Sequence, residues 1–543
     1  MVGKPAVNRS QNMAETLNEY ATQAIRPAAR PAWFTALQVA LGAGAVAADE
    51  ATLDFYAQDV FSQGEALSAV VSPRTVDELQ TVVKTLAAAD VAMVPRGGGL
   101  SYTDGYLARR KGSALIDLTR MDKLVELNTV DRYVTVETGM YWATLNDLLK
   151  PHGLRTPYWG PLSGLRSTIG GALSQCSVFL GSGEHGSVGD SVLSLDVVLA
   201  DGSVLTTGSA AAGVSTKPFI RYFGPDMTGL FVGDAGALGI KARATFKLIA
   251  REVEIDFVSA EFDDPAAMIE AMSEISRNDI AAECFSFDPV LLEQRKKRMS
   301  LLADAKTLLN VVKQSGVMAG LGLVKSGRDF VGDGKYSAHV AIEGKTAGEV
   351  ADKVETAKRI FAVKGQATEN SFPKALRAMP FAAPNSMLGP AGERWVPVHA
   401  IFPHSTAQRA FTEIQAFFAA KQALLEVHQI RIGYLCTTVA QQGYLIEPVF
   451  YWNDSHTAYH KRVVEADYLK KCGEPAANPS ATAAVGALKA ETARLMRSLG
   501  GTHFQIGKFY TYREGRNPAA LALFDAIKKQ LDPQNIMNPG VLK

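Results

Sequence analysis

The 543-residue sequence predicts an α+β protein built from two large units, and three observations carry that prediction. A β-α-β opening begins at Val71, strand-like runs continue to about residue 250, and from about residue 251 strands alternate with long helices. The first fifty or so residues, with "RPAARPAW", precede this pattern and are expected to form an extension lying on the body. From Val71, "VSPRTVDELQTVVKTLAAADVAMVPRGGG" puts Val76, Leu79, Val82 and Val83 on one face of a helix that starts near Thr75, followed by a strand ending at Pro95. Strands follow at "SALIDL", "YVTVETG", "SLDVVLADGSVLTTG" and "ARATFKLI", with Asp201-Gly202 as a hairpin turn. Beyond residue 251, "REVEIDFVSAEF" reads as a strand, whereas "PAAMIEAMSEISRND" and "STAQRAFTEIQAFFAAKQAL" read as helices over a sheet. The stretch near 473–488 reads as a loop leading into a last helix, and "EQRKKRMS" as a solvated helical face.

Composition narrows the function classes. Hydrophobic residues make up 47% and charged residues 20%, enough apolar material for large buried cores. Fifty-six Lys and Arg against fifty-five Asp and Glu leave a formal charge of +1, which supplies no field for nucleic acid or an anionic membrane. Cys176, Cys284, Cys436 and Cys472 show neither metal-finger nor haem spacing and are expected to be free thiols of a reducing cytosol. The apolar run from Trp33 is interrupted by Thr35 and Gln38 and is too short to span a bilayer, and the polar start does not read as a signal peptide. The expected place is the cytoplasm, with a membrane-peripheral location as the alternative.

"HVAIEGKT" has His339 where a phosphate loop needs its first glycine, and no GxGxxG fingerprint is present. Three glycine-rich segments do stand out: "PRGGGLSYTDG" at 95–105, "GPLSGLRSTIGGALSQCSVFLGSGEHGSVGD" at 160–190, and "RYFGPDMTGLFVGDAGALGI" at 221–240. Glycine runs let backbone N–H groups converge on an anion without a Cβ in the way.

The order and spacing of these segments resemble the FAD-binding domain of the vanillyl-alcohol oxidase and p-cresol methylhydroxylase (PCMH-type) superfamily, which also includes glycolate-oxidase-like and D-lactate dehydrogenases. The resemblance runs from about Val71 to Ile249 and resumes at "LDPQNIMNPGVL", 531–542. It implies a two-domain fold: an extension over 1–50, an FAD-binding domain over 51–250, a substrate-capping α+β domain over 251–500, and a C-terminal segment over 501–543 that returns to the FAD domain. It places Arg96, Gly97, Gly98, Gly99 and Leu100 near the pyrophosphate, with Ser101 and Tyr102 as further cofactor-binding residues of the same loop and Tyr102, by position, a candidate for the flavin's substrate side. Pro161, Thr168, Gly170, Gly171 and Asp190 fall in the second flavin-facing segment and Gly236 and Ile240 in the third, while His185, by position alone, is a further candidate for the flavin's substrate side.

The same resemblance suggests catalytic groups. Some members bind flavin through a His after the first glycines; Leu100 stands there, which excludes that link. A bond through His399 is the remaining covalent alternative, and noncovalent FAD is the expectation. His503 matches the catalytic His of the 2-hydroxy-acid branch, and a near-neutral His can take a hydroxyl proton. Tyr512 and Arg513 are similar to the Tyr-Arg pair that holds a phenolate oxygen in vanillyl-alcohol-like enzymes. The branch's metal motifs are missing: His399 and His404 lack a Gly-Asp-Gly between them and Thr502 stands where the Glu ligand would be, so no metal is expected.

The expected activity is FAD-dependent hydride abstraction from a small hydroxylated substrate, with a para-substituted phenol or aromatic alcohol favoured. A D-2-hydroxy acid is one alternative, and a flavin subunit handing electrons to a separate cytochrome is another. Oxygen, a quinone or a cytochrome remain open as electron acceptor, a homodimer is compatible with the resemblance, and no nucleic-acid partner is expected.

Overall fold

Three large β-sheets and one two-stranded ladder, Leu154–Arg155 with Ile249–Ala250, organise the described residues in a computed structural model that covers residues 30–213, 217–252, 254–294, 334–382, 388–389 and 391–543. Most of the charged run at 293–300 lies outside these residues.

The first sheet orders its strands Val46–Ala47, Leu67–Val71, Ser113–Asp117 and Met93–Arg96, the last three parallel. The helix Val76–Ala88 makes the crossover. Its start is set chemically: the Thr75 side chain accepts from the Glu78 amide at 3.1 Å, and Leu79, Val82, Val83 and Leu86 are buried against the sheet. The strand Met93–Arg96 then delivers the chain straight into the triple glycine.

The second sheet is antiparallel, in the order Leu124–Asn128, Tyr133–Glu137, Ile240–Lys247, Val192–Val198 and Val204–Thr206. The hairpin at Asp201-Gly202 forms as its sequence predicts, with Gly202 at φ +77. C-terminal residues Phe524, Ile527 and Leu531 of the helix Pro518–Leu531 pack against the core beneath this sheet.

The third sheet has eight antiparallel strands drawn from 254–453, with Glu254–Phe262, Tyr336–Gly344, Glu283–Phe287, Arg431–Val439 and Gly443–Asn453 in its middle. One face packs on the helices Pro265–Arg277, Ala347–Ala362, His404–Ala419 and Pro479–Ser498, through residues such as Cys284, Cys436, Ile446 and Phe450. Strand alternation turns Leu435, Thr437, Leu445, Glu447 and Tyr451 to the other face, where they meet a large cavity. All four cysteines are free; Cys284 and Cys436 are buried, and burial raises both thiols to about 12.

A buried ion network ties the Leu154–Arg155 ladder and the second glycine segment to the third sheet. Arg155 pairs with Glu343, and Arg377 pairs with both Glu343 and, at 3.2 Å, Glu283. Glu283 also accepts from the Gly181 amide at 2.9 Å and from the Trp159 indole at 3.3 Å. Removing one partner of a buried pair leaves the other desolvated and unpaired, so Glu343→Ala is expected to destabilise the protein by about 3–5 kcal/mol. A urea unfolding midpoint unchanged from wild type would refute that assignment.

Candidate functional site

The cavity, of about 390 Å³, is walled on one side by the three glycine segments and on the other by the third sheet. Arg96, Gly97, Gly98, Gly99, Leu100, Ser101, Tyr102, Pro161, Thr168, Gly170, Gly171, Gly236 and Ile240 all line it.

Local structure explains why those segments approach so closely. A Cβ on Gly98 would lie 1.7 Å from the Arg166 carbonyl oxygen, and one on Gly97 would lie 2.1 Å from Thr168 Oγ1, so the first and second segments touch only because both positions are glycine. Gly236, at φ +78, packs onto Pro95 in a conformation that other residues rarely adopt. Thr168 caps the helix Ile169–Gln175 by accepting from the Gly171 amide at 3.2 Å. In the third segment, Asp234 accepts from the amides of Gly236 at 3.1 Å and Leu238 at 3.2 Å, and it pairs with buried Lys241, whose ammonium also reaches Ser174 at 3.0 Å in the second segment. Asp234 and Lys241 were not singled out from the sequence.

The carbonyls of the first loop are tied from behind. The hydroxyls of Tyr106, at 2.7 Å, and Tyr459 donate to Gly99 O, and the Lys489 ammonium donates to Tyr102 O at 2.6 Å. Asn538 Nδ2 donates to Gly105 O at 2.8 Å and to Ala235 O at 2.6 Å, closing the first segment on the third. By contrast, the amides of Gly97 through Tyr102 donate to no backbone oxygen among the described residues. A row of unspent N–H groups beside a cavity is the donor set that a dinucleotide diphosphate requires. The chemistry therefore fits FAD.

Two residues of the expected flavin set stand elsewhere. Asp190 closes a capping box, accepting from the Ser187 amide and hydroxyl at 2.7 Å each, and is exposed. His185 ends the short helix Ser182–His185 beside Glu184, outside the cavity lining; burial and the nearby Arg155 lower it to about 4.

The expected catalytic set is also redistributed. Arg513 makes a two-pronged ion pair with Asp525 at 2.8 and 2.6 Å, and Tyr512 sits under Arg516, 3.9 Å from its ring centre; neither lines the cavity. The charge that would have held a phenolate is neutralised locally. His503 stacks on Tyr510 at 4.1 Å, and its ring nitrogens face the carbonyls of His399 at 2.9 Å and Ala493 at 3.0 Å, so it bridges two elements away from the cavity. His399 is fully buried, with Nε2 3.2 Å from Phe504 O, and burial lowers it to about 3. It stands behind the wall made by Phe504, 4.3 Å away, and Tyr102, 6.1 Å away. His404 faces Gln441 O at 3.1 Å. Among the described residues no group of three or more His, Cys, Asp and Glu is placed to hold a metal ion.

At the third sheet the cavity is lined by Phe287, Phe372, Leu376, Trp395, Tyr451 and Phe504. Glu447 supplies a carboxylate here, 3.7 Å from His399 Nδ1, and burial keeps the Tyr102 phenol well above its ordinary range, hence neutral. The signal for Glu447 was an acid inside an otherwise apolar strand, on the same face as Leu445 and Tyr451.

Comparison with known proteins agrees with this geometry. The family model for an FAD binding domain matches residues 67–208, and that for the C-terminal domain of FAD linked oxidases matches 477–542. The chain carries the paired domains of the FAD-linked oxidases. The glycolate oxidase subunit GlcD of Bacillus subtilis is 29% identical over 265 residues, 48% of this chain and 54% of that protein. The mitochondrial D-lactate dehydrogenase [cytochrome] of Arabidopsis thaliana is 34% identical over 180 residues, 33% of this chain and 30% of that protein. The chain thus spans about a third to a half of the length of these curated relatives. The fold is that of substrate-bound p-cresol methylhydroxylase, with TM-score 0.69 and 16% identity over 94% of this chain and 96% of that one. The 4-ethylphenol oxidase of Gulosibacter chungangensis shares it, with TM-score 0.62 and 17% identity over 95% and 98%. No helix among the described residues of this FAD-linked oxidase fold is long and apolar enough to cross a membrane.

Gly98→Ala should force the first two segments apart and cut FAD retention by about tenfold or more, read from flavin absorbance after reconstitution and desalting. Gly348→Ala, where nothing lies within 4 Å, should stay yellow. Acid precipitation should release all the flavin to the supernatant, since His399 stands behind the cavity wall; colour left in the pellet would contradict this.

Proposed function

We propose that this chain is an FAD-dependent oxidoreductase acting on a small hydroxylated aromatic substrate, an aromatic alcohol or para-substituted phenol. One observation carries the reading: the cavity that begins at the glycine segments ends among aromatic side chains with a carboxylate, Glu447, in its wall. FAD, when bound, supplies a two-electron acceptor for hydride.

The protein's own groups supply the rest. Phe287, Phe372, Trp395 and Phe504 offer apolar surface to a substrate ring and exclude water from it. For an alcohol, Glu447 receives the hydroxyl proton as the carbinol carbon gives up its hydrogen with the bonding pair, leaving a carbonyl product. The neutral Tyr102 phenol donates a hydrogen bond to the substrate oxygen and helps orient it.

The names of the curated relatives support a second reading, oxidation of a D-2-hydroxy acid. Oxygen, a quinone or a cytochrome would return the enzyme to its oxidised state; a relative named for cytochrome favours the last.

Anaerobic mixing with vanillyl alcohol or D-lactate decides between the two, read as bleaching of the flavin band. Bleaching by the aromatic alcohol alone is expected, and bleaching by D-lactate alone would reverse the assignment. Glu447→Gln should slow bleaching by about 10²-fold without loss of bound flavin; an unchanged rate would remove Glu447 from the chemistry.

A further inference from the structure

A second cavity, of about 190 Å³, shares only Arg96, Gly97 and Gly98 with the first. Its charge is unbalanced. Arg96, Arg166 and Arg462 line it, opposed by one lining carboxylate, Asp117, which leaves an excess of two positive charges. Asp117 is already engaged: it accepts from the Tyr56 hydroxyl at 2.6 Å and from the amide and hydroxyl of Thr119 at 3.0 and 2.8 Å.

The arginines have no such partners. Arg96 is 4% exposed, and its Nε and Nη2 are buried without a hydrogen-bond acceptor. Its guanidinium lies 5.1, 4.6 and 5.2 Å from the ring centres of Phe55, Tyr56 and Tyr106, contacts that hold it in place without neutralising it. Arg166 Nε is likewise buried and unsatisfied. Arg462 lies 4.5 Å over the Phe55 ring and forms no ion pair among the described residues. Arg96 is buried, Arg166 half-buried and Arg462 exposed at the mouth; a buried guanidinium without an acceptor is costly, and three guanidinium groups converging on one cavity present the fork geometry that matches phosphoryl oxygens.

We propose that this cavity binds a phosphoryl dianion held by Arg96, Arg166 and Arg462. Two sources share that chemistry: the diphosphate of FAD, whose loop residues form one wall, and a separate phosphate or phosphate monoester. The proposal rests on the unpaired arginines and not on the substrate reading above.

The test is calorimetric titration of inorganic phosphate into apoprotein and FAD-loaded protein, at ionic strength held constant with sodium chloride. Saturable one-to-one binding to the apoprotein is expected, weakened at least about tenfold in Arg166→Gln and Arg462→Gln. Neither residue is as deeply buried as Arg96: Arg166 is half-buried and Arg462, over the Phe55 and Tyr56 rings, is exposed, and circular dichroism verifies that the variants fold. Equal binding by the loaded protein assigns a separate phosphorylated ligand. Binding by the apoprotein alone, with a matching loss of FAD affinity in the variants, assigns the diphosphate of FAD. Absence of saturable binding to the apoprotein, or variants that bind phosphate as tightly as wild type, would overturn the site. Flavin absorbance of the loaded protein reports FAD binding independently, so failure of the anion site and failure of the flavin reading are separable.

Discussion

The fold depends on one constraint: the first glycine loop must keep its amides toward the cavity, so its carbonyls have to be satisfied from behind. Tyr106 and Tyr459 do this at Gly99, Lys489 at Tyr102, the Lys508 amide at Thr103 and Asn538 at Gly105. These donors come from very different parts of the sequence. The helix Pro479–Ser498 and the C-terminal segment are thereby bound to the loop that opens the first unit, and the three sheets serve to bring those donors together. The loop could not hold an orientation that leaves a row of N–H groups unspent without this backing.

The third sheet solves a related problem by alternation. One face of its strands carries Cys284, Ile446 and Phe450 into the helical core, while the other carries Glu447 and Tyr451 to the cavity. A shift of one residue in register would exchange the two sets and place a carboxylate in the core. Continuous antiparallel pairing of Arg431–Val439 with Gly443–Asn453 over nine residue pairs holds that register.

What could be read from the sequence follows the same division. The glycine segments were legible because close backbone approach leaves a direct mark: Gly98 admits no Cβ against the Arg166 carbonyl, and no other residue type would serve. The helix after Thr75 and the hairpin at Gly202 were legible because a cap and a left-handed turn are local. Side chains whose role depends on a distant partner were not. Arg513 matched a motif, but Asp525, twelve positions on, claims it, and His503 is held by carbonyls from two other elements. Glu447 was visible as an acid in an apolar strand, yet only the sheet shows which face it joins. Asp234 and Lys241 resembled an ordinary turn and strand until the structure paired them.

Asn538 also bears on the order in which the molecule can be made. Its amide bridges Gly105 and Ala235, partners 433 and 303 positions away. Contacts of such separation form late, because the loop-closure entropy between them must first be overcome. The glycine loop emerges early from the ribosome with Tyr106 close by to hold Gly99, but its other carbonyl donors, Tyr459, Lys489, Lys508 and Asn538, arrive only after the whole intervening sheet has been synthesised. Cofactor capture by this chain is therefore a late event, and a chain halted before Asn538 would carry every glycine of the site without a finished cradle.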